Sequence, residues 1–349
     1  MSVRVAVYGL GPIGTLIARN VVKKESLQLV AAFEIDAYKI GKDVGEILGM
    51  RDKTGVTVSH ESKAAEVLRS NKVDVVLHST SSYLDRIYLQ IVKCIEAGTD
   101  MISTSETLVN PWYRYPKLAS EIDRMAREKD VSIIGAGINP GFIFDVLPIL
   151  MTSVCSSIDS LRVTRSLDAA KRRLSFQKKY GLSLRVEEFT SKMESGEITA
   201  HTGYAESIDL IAHSLGISLT RVVEKQEPVV SEKRLETPYL EIMPGRVSGV
   251  HGYGIGYIGE KEFIRVELFA EVGREEFEEI VIEGEPSVRW RSSGIAGDIA
   301  TAAIVVNLIP KVLEARSGLL RITDIPLPSA RLNLKGNTHN KLRKNELHR

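Results

Sequence analysis

The chain has 349 residues, enough for two domains with separate cores, and its 43% hydrophobic and 26% charged content suits a globular protein. A net charge of +1 supplies no field that would favour nucleic acid, and the one basic cluster, Lys341-Leu342-Arg343-Lys344, reads as a solvated tail. Cys94 and Cys155 lie in apolar runs without a Cys/His ligand spacing, which excludes a disulfide framework and a metal site and predicts a reduced, cytoplasmic setting. With no long apolar run and no leader pattern, no membrane partner is expected.

The first strand is Arg4-Val5-Ala6-Val7-Tyr8, a short apolar run of the buried parallel type. It ends in Gly9-Leu10-Gly11-Pro12-Ile13-Gly14 and continues as an amphipathic helix through Lys24. In this strand-turn-helix context the glycines have separate tasks. Gly9 allows the tight turn, Gly11 presents no Cβ to a pyrophosphate, and Gly14 lets helix and sheet approach closely. Pro12 suits the first helical turn, whose free N–H groups attract phosphate. A second run, Leu29 to Phe33, ends in Glu34, where a dinucleotide fold places the acid that bonds the ribose hydroxyls.

Beyond Asp36 the pattern predicts a helix-like stretch over 39–48, a short strand over 55–58 and a helix over 63–70. The strand Val73 to Leu77 runs into His78-Ser79-Thr80-Ser81-Ser82. Small polar residues after a parallel strand fall on the ligand-bearing edge of an open sheet. Singly each hydroxyl suits a helix cap; as a group Ser79, Thr80 and Ser81 favour cofactor contact. A helix over 84–97 closes at Gly98, and the strand 100–104 leads into Ser105-Glu106-Thr107 on the same edge. A helix over 116–129 and a strand over 131–134 precede Gly135-Ala136-Gly137-Ile138-Asn139-Pro140-Gly141-Phe142. The alternation predicts a right-handed, doubly wound parallel α/β sheet of the Rossmann type.

After about Leu150 the rhythm changes. Segments 160–167, 263–272, 278–283 and 287–291 read as strands and 182–195 and 202–215 as helices, which predicts a second α+β domain for substrate binding and dimerisation. Gly297-Asp298-Ile299-Ala300-Thr301 opens an apolar helix that Pro310 kinks or restarts before Gly318. The expected domains are 1–145, completed by the helical segment 295–330, and 146–294, with 335–349 as a flexible tail.

Glu106 is the foremost candidate for chemistry. A carboxylate beside a nicotinamide could take a proton from a substrate ammonium or from attacking water, whereas the plain alternative is a glutamate favouring a helix dipole. Asn139 can both donate and accept, as a carboxamide partner must, and Pro140 follows it in a turn that also suits a domain crossing. Ser105 completes the cofactor set. Phe142, Arg165, His201 and His251 are candidates for facing substrate. Arg165, Lys171, Lys178 and Lys179 could hold a carboxylate, although basic residues in such runs are commonly solvated.

Taken together, Tyr8 to Gly14, Lys42-Asp43-Val44-Gly45-Glu46, Thr104-Ser105-Glu106, Gly135 to Phe142 and Gly297 to Thr301 resemble 2,4-diaminopentanoate dehydrogenase and related NAD(P)-dependent amine dehydrogenases. The resemblance spans the chain up to its last fifteen or so residues. It implies reversible oxidative deamination with Glu106 as base, a homodimer, and, for 2,4-diaminopentanoate, a product within ornithine breakdown. These enzymes are similar in fold to dihydrodipicolinate reductase, but that reductase's His-His pair and its Lys-x-Asp-Ala-Pro-Ser-Gly-Thr-like stretch are absent. A cyclic imine or enamine reductase is the alternative activity. A cofactor-sensing regulator, the non-enzyme alternative, would need a partner-binding module, and no basic helix-turn-helix pattern is found. Glu34 and Asp36 would repel a 2′-phosphate while Lys39 and Arg51 would attract one, so the expected cofactor is NAD, with NADP tolerated.

Overall fold

The computed structural model describes residues 2–330. The basic cluster at 341–344 and the expected tail at 335–349 lie outside the described residues. Contacts divide the chain into two compact units, one built from the residues up to Gly137 and from Asp298 onward, the other from Ile138–Gly297.

In the first unit β1 (Val3–Tyr8) leads to α1 (Pro12–Val22) and β2 (Leu27–Glu34). Then come α2 (Val44–Ile47), β3 (Val58–His60), α3 (Ala64–Ser70), β4 (Val75–His78) and α4 (Leu84–Glu96). The run closes with β5 (Asp100–Ser103), α5 (Pro111–Arg114), α6 (Pro116–Glu128) and β6 (Ser132–Gly135). The second unit holds α7 (Val146–Thr152), β7 (Ser157–Asp168), α8 (Leu174–Lys179), α9 (Val186–Glu194), α10 (Tyr204–Leu215) and β8 (Arg221–Val230). It continues through the small hairpin β9 (Leu235–Glu236) and β10 (Glu241–Ile242) to β11 (Val247–Ile258), β12 (Lys261–Glu271), β13 (Phe277–Glu285) and β14 (Val288–Arg291). The chain then forms α11 (Gly297–Val312) and β15 (Gly318–Leu320).

The first sheet is seven-stranded in the order β15-β6-β5-β4-β1-β2-β3, and every pairing is parallel. This is the doubly wound arrangement read from the alternation. Its strands are nearly continuous apolar runs because helices cover both faces. The row Phe33, Tyr8, His78, Ser103, Gly135 runs in register across five strands. The residues that follow each member therefore share one edge, and the strand order reverses between β1 and β4.

Several elements differ from expectation. Over 39–48 the helix is only α2, because Asp43 caps it: its carboxylate accepts from the backbone of Gly45, Thr54 and Gly55, folding the segment into a polar turn. Helix α11 passes through Pro310 to Val312, and the seventh strand β15 was not foreseen at all.

The second sheet is mixed and six-stranded, in the order β14-β13-β7-β12-β11-β8. β8 was missed because Arg221 to Val230 is half polar, contains Pro228 and is nowhere fully buried, and β11 because Val247 to Ile258 alternates glycine with larger residues and so resembles a loop. The reason is packing. A Cβ on Gly252 or Gly254 would lie 2.1 Å or 2.8 Å from Tyr204 atoms, and one on Gly256 would lie 2.7 Å from Ile208, so the glycine lane seats α10 on the sheet.

Candidate functional site

Two of the three motif glycines are fixed by the fold and the third is not. Gly9 has φ +90°, and a Cβ there would lie 2.8 Å from the Ser79 carbonyl oxygen; a Cβ on Gly14 would lie 1.8 Å from the Gly9 carbonyl oxygen. At Gly11 a Cβ would meet nothing within 4 Å. Gly11 is also the N-cap of α1, with no side chain bonding the first turn and Pro12 directly behind it. The loop therefore offers open space bounded by helix N–H groups, which fits a dinucleotide pyrophosphate.

Glu34, at the end of β2, braces this loop. Its Oε2 accepts from Leu10 N at 2.9 Å and its Oε1 from Ile35 N at 2.8 Å. Lys39 Nζ lies 3.6 Å from Glu34 Oε2 and 3.5 Å from Asp36 Oδ2, and donates to the Leu10 carbonyl at 3.1 Å. One cation thus offsets the two acids at the position where ribose is bound in such folds.

Past β4 the hydroxyls divide by task. Ser79 Oγ donates to the Gly9 carbonyl at 3.2 Å, closing the glycine loop, while exposed Thr80 donates from Oγ1 to Gln90 Oε1 at 2.7 Å. Ser81 Oγ accepts from Tyr83 N at 3.4 Å. Ser105 is buried, and its Oγ donates to the Ser82 carbonyl at 2.9 Å, so it ties two edge loops together and its side chain faces the interior. Thr107 Oγ1 completes the tie by donating to the same carbonyl at 3.1 Å and accepting Leu84 N at 2.8 Å, at the start of α4.

Half-buried Glu106 opens a short 3-10 turn, Glu106–Leu108, directly after β5. The turn rests on β6: a Cβ on Gly135 would lie 2.4 Å from the Leu108 carbonyl carbon. Behind it runs a polar chain that sequence reading missed. Ser105 N donates to Ser103 Oγ at 3.1 Å, Ser103 Oγ meets His78 Nδ1 at 2.9 Å, and His78 Nε2 meets Gln90 Oε1 at 2.7 Å. Gln90 and Tyr8 both donate to Glu61 Oε2, at 3.0 and 2.9 Å. Burial pushes His78 down to about 4, so its ring is neutral and its contacts fix the tautomer. Only the registered row of strand ends makes this chain visible.

In the second unit, Asn139 Oδ1 accepts from the Arg165 guanidinium, and its amide nitrogen has no partner among the described residues. Arg165 is buried. Its Nη2 donates to the Ile295 carbonyl at 2.8 Å and its Nε pairs with buried Glu278 Oε1 at 3.1 Å. These contacts commit the guanidinium to protein partners. The turn after buried Pro140 is held by Asp145, which accepts from Gly141 N at 2.9 Å and from Ser207 Oγ at 2.7 Å. Burial raises the Asp145 carboxyl above its usual range.

The four expected substrate residues do not all converge: the Arg165 charge reaches His201, whereas His251 lies apart. It is Phe144, not Phe142, that meets His201, edge-on at 5.5 Å between ring centroids, and His201 in turn meets Tyr204 at 4.6 Å. His251 stacks on Phe269 at 4.1 Å, on the sheet face opposite the glycine lane and α10. The alternation of strand side chains puts His201 and His251 on opposite faces, a separation that loop-like sequence context concealed. Among the described residues no group of His, Cys, Asp and Glu is disposed to hold a metal ion, and no helix is long and apolar enough to cross a membrane.

Comparison with known proteins agrees with this architecture. Residues 142–341, more than half the chain, match the model of the 2,4-diaminopentanoate dehydrogenase C-terminal domain, and residues 3–105 match that of the dihydrodipicolinate reductase N-terminus. The 2,4-diaminopentanoate dehydrogenase of Acetoanaerobium sticklandii is 30% identical over 94% of this chain and 95% of its own. The chain belongs to the 2,4-diaminopentanoate dehydrogenase family. An amine dehydrogenase of Streptomyces virginiae is 23% identical over 93% of this chain and 96% of its own. The solved amine dehydrogenase of Mycobacterium smegmatis shares the fold with a TM-score of 0.85, 24% identity and coverage of 95% and 98%. As a member of the 2,4-diaminopentanoate dehydrogenase family the protein is a dehydrogenase, and its first unit is the dinucleotide-binding fold of such enzymes.

Proposed function

We propose that the protein catalyses NAD(P)-dependent oxidative deamination, with 2,4-diaminopentanoate as substrate and 2-amino-4-oxopentanoate and ammonia as products, a step in ornithine breakdown. The observation that carries the reading is Glu106, set immediately after β5 on the edge that also bears the glycine loop, in a chain of this family. We assign Gly9, Gly11, Pro12, Ile13 and Gly14 to the pyrophosphate, Glu34 to the adenine ribose, and Ser79 and Ser81 to the loop beside them. Ser105 supports that edge from within, and Thr80 supports it at the surface. The Asn139 amide nitrogen is the group offered to a carboxamide, with Pro140 shaping its turn and Arg165 holding its oxygen.

When bound, the nicotinamide accepts the hydride from the amine carbon. Glu106 takes a proton from the substrate ammonium, so that the nitrogen lone pair can form the C=N bond as hydride leaves. It passes that proton to solvent, then takes one from the water that adds to the imine carbon and returns it to the departing nitrogen. Loss of ammonia leaves the ketone, and the sum is substrate ammonium, NAD⁺ and water giving ketone, ammonium, NADH and one proton. Reductive amination is the same sequence reversed. Lys39 beside Glu34 and Asp36 supports NAD as the main cofactor with NADP tolerated, since the cation offsets the repulsion of a 2′-phosphate.

A homodimer through the second sheet is part of this reading. The face that carries His251, Tyr253 and Phe269 lies opposite α10. A cytoplasmic location accords with free Cys94 and Cys155. The test is NADH and ammonia formation in parallel from 2,4-diaminopentanoate, simple alkyl amines and amino acids. Equal yields of NADH and ammonia with the diamino acid are expected. Oxidation of NADH by a cyclic imine, with no ammonia dependence and no amine turnover, would replace the reading with the reductase.

A further inference from the structure

We infer that the second unit contains a recognition site for a carboxylate, formed by His201 Nε2 and Tyr204 Oη, and that it receives the carboxylate of an amino-acid substrate. This rests on the amine dehydrogenase reading and names the residues that hold the carboxylate of its substrate. His201 and Tyr204 are 6% and 2% exposed, and among the described residues neither His201 Nε2 nor Tyr204 Oη has a hydrogen-bond partner. Leaving one buried polar group unsatisfied costs about 1–3 kcal/mol, and native proteins carry few of them. Two on touching rings indicate that the missing partner belongs to a ligand.

The protonation states give that ligand its sign. Burial, with Lys179 and Arg165 adding positive charge, holds His201 well below its ordinary range, so the ring is neutral. Burial holds the Tyr204 hydroxyl protonated, reinforced by Tyr180 and Glu224. An imidazole whose Nε2 carries its proton and a phenol are both donors, and two buried donors on touching rings with no internal partner call for an acceptor. On the imidazole side the neighbouring cations repel an ammonium and attract an anion. Exposed Glu224, the negative neighbour of the phenol, already accepts Ala205 N at 3.0 Å. Phe144 walls the His201 ring edge-on, and Gly252, whose Cβ would lie 2.1 Å from Tyr204 Oη, lets the phenol reach its place against β11. A charged acceptor shielded in this way makes stronger bonds than one in water.

The experiment compares 4-aminopentanoate with 2-aminopentane, which shares the carbon frame and the reacting amine but lacks the carboxylate. It also follows binding of pentanoate, which has no amine, by the imidazole NMR signals of the holoenzyme. Wild type should prefer 4-aminopentanoate in kcat/KM by about 100-fold, and pentanoate should raise the His201 pKa. Tyr204→Phe should raise KM for 4-aminopentanoate and Kd for pentanoate by about 10- to 100-fold while leaving 2-aminopentane unchanged. Its melting temperature should not fall, because the hydroxyl has no internal partner to lose. Equal use of both amines, or pentanoate binding unaffected by Tyr204→Phe, overturns the carboxylate site and leaves the dehydrogenase standing. No oxidation of any amine, with pentanoate still bound through Tyr204, overturns the activity and leaves the site.

Discussion

Gly14→Ala and Gly11→Ala change the same loop by one methyl group and should fail in different ways. At Gly14 the new Cβ would lie 1.8 Å from the Gly9 carbonyl oxygen, more than an ångström inside contact, and the clashing atom is backbone that no rotamer change can move. Overpacking of this kind costs about 1–3 kcal/mol, or more where the backbone must shift. For a unit of this size that lowers Tm by about 3–10 °C. At Gly11 the methyl group meets nothing within 4 Å, and the backbone, at φ −66° and ψ −171°, accepts an L residue. Loss of about 0.5–1 kcal/mol of capping preference is offset by the smaller entropy of the unfolded chain. Gly11→Ala should therefore melt within about 2 °C of wild type. Its methyl group would fill space assigned to the pyrophosphate, so NAD⁺ affinity should fall by at least about tenfold, or 1.4 kcal/mol. Differential scanning calorimetry with and without NAD⁺, joined to titration calorimetry, separates the two effects. Wild-type NAD⁺ affinity in Gly11→Ala would refute the placement of the phosphates, and wild-type stability in Gly14→Ala would refute the packing argument.

Glu106→Gln should lower kcat for amine oxidation by about 10²- to 10⁴-fold while NAD⁺ Kd stays within about twofold, read by stopped-flow and fluorescence titration; retained turnover would remove Glu106 as base. Lys39→Ala should weaken NADP⁺ about tenfold relative to NAD⁺, and added salt should shrink the difference, so equal losses for both cofactors would discount the role given to Lys39. His78 has its ordinary value of 6.5 when unfolded and is held at about 4 when folded, so the unfolded state binds more protons between the two. Stability is full above about pH 6.5 and declines as pH falls toward about 4, by about 3 kcal/mol from this residue. Urea unfolding across that range should show a flatter profile in His78→Gln, and an unchanged slope would assign the decline to other groups.

The first unit was legible because buried parallel strands announce themselves as apolar runs and because the glycine loop and Glu34 have spacings set by covalent geometry. Legibility ended where a residue's task depends on what stands opposite it. The glycines of β11 read as loop because the side chains of Tyr204 and Ile208 that fill their places come from α10, far earlier in the chain. Ser105 and Thr80 looked like ligand hydroxyls, yet both spend their bonds on neighbouring protein groups. Arg165 looked available to substrate until its partners Asn139, Ile295 and Glu278 came together around it. Tyr204 stood three residues after His201 but carried no signal of its own, since an unsatisfied hydroxyl is visible only in three dimensions. At β15, three residues, Gly-Leu-Leu, are too few to show a period.

That last strand bears on how the protein is made. β6 receives its neighbour only when Gly318–Leu320 arrives, and Leu319 N, Ser132 Oγ and Gly318 N then find Asp123, the Arg316 carbonyl and the Val131 carbonyl. A ribosome must therefore deliver the whole of 138–297 before the first-born sheet can close. Until that moment the nascent chain presents β6 as an open strand edge, the form most prone to pair with a neighbouring polypeptide. Synthesis stalled anywhere between those points leaves an unfinished fold, so the protein's earliest vulnerability is to aggregation during translation.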